Sequence, residues 1–115
     1  MRYPVPGNQV IYLRFHKEIE RQIIEYAEKN KIKKATTVRR ILEAYILSPF
    51  PLSPLSSSYF LKRGRRKGKV VGKGINVTMK KVMENEIKIR AEKKKMKEND
   101  FKTSIIFSFL QKEKD

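Results

Sequence analysis

The chain repeats its own apolar pattern. Laid against itself without a gap, Ile11, Leu13 and Phe15 fall on Ile75, Val77 and Met79, and Ile19, Ile23 and Ala27 fall on Met83, Ile87 and Ala91. Ile32 falls on Met96, and Ile41, Leu42, Tyr45 and Ile46 fall on Ile105, Ile106, Phe109 and Leu110. A chance match between Lys-rich segments aligns charges; this one aligns a core pattern and marks a duplicated unit. The chain has 115 residues, so each copy is close to the roughly 40 residues below which a unit seldom folds alone. Two such copies are expected to share one core.

Each copy reads as strand, helix, turn, helix. In the first, Ile11, Leu13 and Phe15 alternate with Tyr12 and Arg14, the period-2 pattern of a strand with one apolar face. From about Lys17 to Asn30, Ile19, Ile23, Tyr26 and Ala27 recur at helical spacing. Glu18, Glu20, Glu25 and Glu28 read as the solvated face of that helix. After the interruption KIKKA, Val38, Ile41, Leu42, Tyr45 and Ile46 form a second amphipathic helix, which Pro49 and Pro51 end. In the second copy, Ile75, Val77 and Met79 alternate with Asn76 and Thr78, and Met83, Ile87 and Ala91 mark a helix. Asn99 or Asp100 is the expected N-cap of the last helix. Lys102 stands where the first copy has Val38, and Phe101 beside it is expected to fill the lost apolar position.

Between the copies, SPFPLSPLSSS reads as an irregular connection, and KRGRRKGKVVGKG follows it. From Ala44 to Met83 there is no Asp or Glu but nine Lys or Arg. The expected organisation is an N-terminal arm (1–8), a first unit (9–47), a Pro/Ser-rich and then basic linker (48–73), a second unit (74–111) and a charged tail (112–115).

Lys and Arg number 28 against 12 Asp and Glu, a formal net charge of +16. That imbalance favours a polyanionic partner, nucleic acid first and an anionic membrane surface second. The absence of Cys excludes disulfides and thiolate metal sites. The single His, His16, reads as an ordinary helix-start residue and leaves little scope for a metal site or a catalytic triad. No apolar run approaches ~18 residues, and MRYPVPGNQV lacks the apolar core of a signal peptide. A soluble protein of the host cytoplasm is expected, with no membrane partner, metal, cofactor or small-molecule substrate. Lys- and Ile-rich, Cys-free composition also suits a thermophile.

A strand with one apolar face and an unpaired polar edge is not stable alone. Pairing the two copies' strands antiparallel satisfies both, and places four helices beneath a two-stranded ribbon. The expected fold is mostly α with a two-stranded antiparallel β-ribbon, two strand–helix–helix units in one chain forming a pseudo-dimer. Tyr12 and Arg14 from one strand, with Asn76 and Thr78 from the other, then face outward. A two-stranded ribbon fits the major groove of B-DNA, whose base edges carry a distinguishable donor and acceptor code.

The run IYLRFHKEIERQIIEYAEKNKIKKATTVRRILEAYI resembles the ribbon–helix–helix pattern: an alternating strand ending in Arg-apolar, then two amphipathic helices. The resemblance covers residues 9–47 and, more weakly, 74–111, and the whole is similar to tandem ribbon–helix–helix regulators of archaeal viruses. It implies a double-stranded DNA-binding transcriptional regulator whose base contacts come from Tyr12, Arg14, Asn76 and Thr78. It also implies phosphate contacts at the start of each second helix, from Lys33, Lys34 and Thr36 in the first copy and Lys97 in the second. Glu98 and Asp100 beside Lys97 predict a looser grip on that side. The basic run, with Lys62, Arg63, Arg65, Arg66, Lys67 and Lys69, is expected to add backbone or minor-groove contacts. Self-association on DNA is a further expectation. Three positions depart from the family pattern: His16 replaces a usual Pro, Lys33 a Ser/Thr cap, and Thr78 an Arg.

Rival readings are a non-specific architectural or DNA-coating protein driven by charge, and an antitoxin whose linker or tail folds on a protein toxin. An enzyme is not expected: a nuclease needs clustered acids for metal ions, and the DNA-facing positions hold none.

Overall fold

Apolar–polar alternation produces two strands, β1 (Asn8–Leu13) and β2 (Ile75–Lys80), of which β1 ends before Arg14 and Phe15, expected to belong to it. The computed structural model describes residues 8–60 and 71–114, without the side chains of residues 57 and 114. Its described residues contain four α-helices and this one two-stranded antiparallel sheet. Helix α1 (Lys17–Lys29) starts at His16, whose Nδ1 accepts a hydrogen bond from the Glu18 N–H at 3.1 Å. The lone histidine is thus a helix cap, supplying one of the acceptors that a first turn lacks.

The two halves run in step through their helices. Helix α1 is followed by α2 (Lys34–Leu47), and α3 (Lys81–Lys93) by α4 (Glu98–Lys114). Each turn between them passes through one left-handed residue, Lys31 at φ 57° and its counterpart Lys95 at φ 58°. The same bond closes both turns: Ile32 N–H to Ala27 O at 2.9 Å, and Met96 N–H to Ala91 O at 3.0 Å. The gapless register therefore holds to the start of α4. That start lies at Glu98, so neither Asn99 nor Asp100 is the N-cap. The Lys97 carbonyl already accepts from the Phe101 N–H at 2.9 Å, and the Asn99 amide instead donates to the Arg14 carbonyl at 3.0 Å.

Three of the six ladder pairs are symmetric under exchange of the copies. Tyr12 pairs with Asn76, its own counterpart, and the flanking pairs Ile11–Val77 and Leu13–Ile75 interchange. Leu13, Ile75, Val77 and Met79 are buried on the inner face, while Val10, Tyr12, Asn76, Thr78 and Lys80 are exposed on the other. Beneath the ribbon, helices contact helices of the opposite copy. Tyr26 of α1 packs edge-on against Phe109 of α4 at 5.6 Å, and its counterpart Arg90 of α3 stands over the Tyr45 ring of α2 at 5.9 Å. Phe15, Ile19, Ile23, Val38, Leu42, Ile87, Phe101, Ile105 and Ile106 close a single core that both copies fill. Phe101 is fully buried, as expected.

The linker is irregular, apart from one 3-10 turn at Ser57–Tyr59, and it is packed. Phe50, Leu52 and Tyr59 lie against the core, and the Ser53 N–H donates to Ser108 Oγ at 2.7 Å. The basic run with Lys62, Arg63, Arg65, Arg66, Lys67 and Lys69 lies outside the described residues.

Symmetry breaks at one end of the ribbon. Beyond the Leu13–Ile75 pair the next bridge joins His16 to Val71, so Arg14 and Phe15 face three residues, Gly72, Lys73 and Gly74. This bulge explains why Glu20 is not on a solvated face, contrary to the sequence expectation. Glu20 is buried, and its Oε2 accepts the Lys73 N–H at 2.7 Å; helical periodicity carries no sign of the loop that covers it. From the other side the Tyr12 hydroxyl donates to the Lys73 carbonyl at 2.8 Å. Gly74 has φ 92°, and a Cβ there would lie 2.1 Å from the Tyr12 oxygen. Gly74→Ala is expected to cost about 1–3 kcal/mol from backbone strain alone, since Tyr12 can swing away, and urea denaturation measures it.

Candidate nucleic-acid interface

The outward face of the ribbon carries Asn8, Val10 and Tyr12 on β1, opposite Lys80, Thr78 and Asn76 on β2. It holds no carboxylate. The neutral and cationic side chains leave the groove-sized ribbon open to an anionic ligand without like-charge repulsion. Arg14 is exposed immediately beyond β1, and Lys73 is exposed in the bulge facing it. Of the four expected base-reading positions, Tyr12, Asn76 and Thr78 stand on this face, and Arg14 stands at its end. The Tyr12 hydroxyl, tied to Lys73, retains only its acceptor capacity.

Sequence reasoning missed Val10 and Lys80, although the same alternation reaches them. Counting outward from Tyr12 by two gives Val10 and Asn8, and from Thr78 gives Lys80. The inner position beside Val10 is the polar Gln9, which interrupts the apolar alternation, and β2 runs one residue past Met79. Lys73 had no signal, because a bulge leaves no trace in periodicity.

The residues expected to contact phosphate lie at helix starts. Lys33 is the N-cap of α2 in an extended conformation, with no side-chain capping bond, and the first turn contains no acid. Lys33 is exposed, and Lys34 and Thr36 are half-buried. The first-turn N–H groups of an α-helix have no intrahelical acceptor and sit at its positive end, which favours an anion there. Helix α2 packs on β2, and the start of α4 is tied to the end of β1 by the Asn99–Arg14 bond.

The start of α4 is chemically different. Lys97 is exposed, but Glu98 and Asp100 occupy the first turn. Burial pushes the Asp100 carboxyl above its ordinary range, and Lys97 opposes this. Glu98 turns inward: Lys102 Nζ lies 2.8 Å from Glu98 Oε2 and 2.8 Å from Glu84 Oε1. Lys102 is 2 % exposed, so the site that is Val38 in the first copy holds a buried cation between two carboxyls. Burial, then a hydrogen bond with Glu98, pushes the Glu84 carboxyl up against the pull of Lys102. Burial opposes ionisation of Glu98 as well, but hydrogen bonds with Glu84 and Lys102 outweigh it and hold that carboxyl below its ordinary range.

Compared with known proteins, the chain matches no family model, no curated protein and no solved structure. Among the described residues no helix is long and apolar enough to cross a membrane.

Removing one member of a buried ion cluster strands the others. Lys102→Met is expected to destabilise the fold by about 3–5 kcal/mol, and Lys102→Val with Glu84→Leu to recover most of that loss. Denaturant titration of both variants measures the difference. The pH dependence has a definite sign. A raised folded pKa makes the Glu84 contribution complete below its ordinary value of 4.5 and removes it as pH rises through the raised value. Stability from this group should therefore decline with rising pH above 4.5. Glu84→Gln should abolish that decline in denaturation curves collected across the same range.

Proposed function

We propose that this chain is a sequence-specific double-stranded DNA-binding transcriptional regulator, a single-chain pseudo-dimer of two ribbon–helix–helix units that reads the major groove with its β-ribbon. The observation that carries the reading is the antiparallel ladder of β1 and β2, which presents an outward face without carboxylates. An antiparallel two-stranded ribbon has the dimensions the major groove admits. A formal charge of +16 supplies the sequence-independent attraction to phosphate. Arg14 and Asn76 carry the side chains suited to bidentate recognition of guanine and adenine, each contributing about 1–3 kcal/mol of discrimination.

Lys33, Lys34 and Thr36 at the start of α2 hold one phosphate backbone. On the other side Lys97 acts beside Glu98 and Asp100, so the grip is weaker there. With about six phosphates neutralised, log K falls with log salt at a slope of about −5. The unequal halves favour an asymmetric operator over a perfect palindrome.

Selection of binding sites from random duplex DNA, with wild type beside Arg14→Ala, tests the reading. An enriched motif whose preference collapses in the variant is expected. Enrichment of no motif, with equal affinity for both proteins, is the result of a charge-driven DNA coat and would falsify sequence-specific reading.

A further inference from the structure

We propose that the ribbon reads two chemically different half-sites: thymine methyl groups beside Val10 and Thr78, and guanine beside Arg14. The inference rests on the DNA-reading role proposed above and assigns the base chemistry of each half.

Val10 is 58 % exposed in the middle of the outward face, where it contributes little to folding. It neither donates nor accepts a hydrogen bond. It pairs directly with Thr78, and cross-strand partners hold their Cβ atoms about 4.5–5.5 Å apart. Two β-branched side chains thus stand side by side, each offering methyl groups to whatever covers the face. Along the major-groove edge of DNA, the apolar feature is the C5-methyl of thymine. No carboxylate lies on this face, and Lys80 stands at its end beside Asn8, so charge complementarity favours the phosphate-flanked groove as the occupant.

Exchange of the copies takes Thr78 to Arg14 and Val10 to Gly74. The corresponding place in the other half therefore holds a guanidinium facing the bulge with its exposed Lys73, with no methyl at all. The bulge makes that difference permanent. Gly74 at φ 92° lies against the Tyr12 ring, and a Cβ at Gly74 would meet the ring's Cε1 at 2.5 Å. A Val there would be strained at that φ and would push the Tyr12 ring off its bond to Lys73. Arg14, lacking an apolar neighbour across the ribbon, suits the O6 and N7 acceptors of guanine. Asn76, whose partner Tyr12 is its own counterpart in the other copy, suits adenine between the halves.

The test uses the full chain and the duplex recovered by selection. Each thymine is replaced in turn by deoxyuridine, which removes only the methyl group, and each guanine by 7-deazaguanine, which removes the N7 acceptor. Dissociation constants are read by fluorescence anisotropy. Deoxyuridine in one half-site is expected to weaken wild-type binding about four-fold per methyl contacted, and to weaken binding of Val10→Ala less. The 7-deazaguanine effect is expected in the opposite half-site and is absent in Arg14→Ala. Thermal melts of both variants confirm that the fold is retained. Tolerance of deoxyuridine at every position, with the selected motif still preferred, overturns the methyl assignment and leaves the regulator standing. Equal methyl sensitivity in both half-sites overturns the polarity. Recovery of no motif overturns the DNA-reading role itself.

Discussion

Strands β1 and β2 lie far apart in the chain, yet each supplies the hydrogen-bonding edge that the other lacks. A lone strand exposes a full row of amide and carbonyl groups, and two strands alone are marginal in water. Here their joint inner face, with Leu13, Ile75, Val77 and Met79 buried, forms the lid of a core that four helices complete. The pairing fixes which way every outward side chain points. It also forces the helices of one copy against those of the other, as the Tyr26–Phe109 and Arg90–Tyr45 contacts do.

Two halves that share an apolar register need not be alike, and the differences fall at the start of α4 and at one end of the ribbon. Where the first copy has Val38, the second has Lys102, held by Glu84 and Glu98. A buried cation with two carboxyls contributes little net stability over an apolar residue of similar size. Its consequence is local: it draws Glu98 inward at the start of α4, where the first copy presents Lys34 and no acid. At the ribbon the bulge at Gly72–Lys73–Gly74 ends the ladder one pair beyond Tyr12–Asn76, so the pairs from Val10–Thr78 outward have no counterpart in the other half. Both backbone groups of Lys73 are satisfied by side chains, Glu20 below and Tyr12 above, so the irregular end is as well bonded as the regular one.

Much of the fold was legible because periodicity reports burial. Ile11, Leu13 and Phe15 against Tyr12 and Arg14 identified the strand and its faces, and the repeat carried both helix pairs into register. Proline at positions 49 and 51 marked the end of α2. The candidate site was legible to the same depth: Tyr12, Asn76 and Thr78 stand outward, and Lys33, Lys34 and Thr36 surround the start of α2. What escaped was whatever depends on a partner distant in sequence. Glu20 has the spacing of a solvated carboxylate and is buried by a segment more than fifty residues away. Asn99 has the character of a helix cap and is instead drawn to the Arg14 carbonyl across the domain.

The sequence by itself determined the element types, their order, the duplicated register and the strongly basic balance, because each is a property of neighbouring residues or of composition. Tertiary structure alone decided the bulge, the inward turn of Glu98 toward Lys102, the burial of Glu20 and the placing of Val10 opposite Thr78. Those features arise when two remote segments meet, and local periodicity holds no information about which residues then face each other.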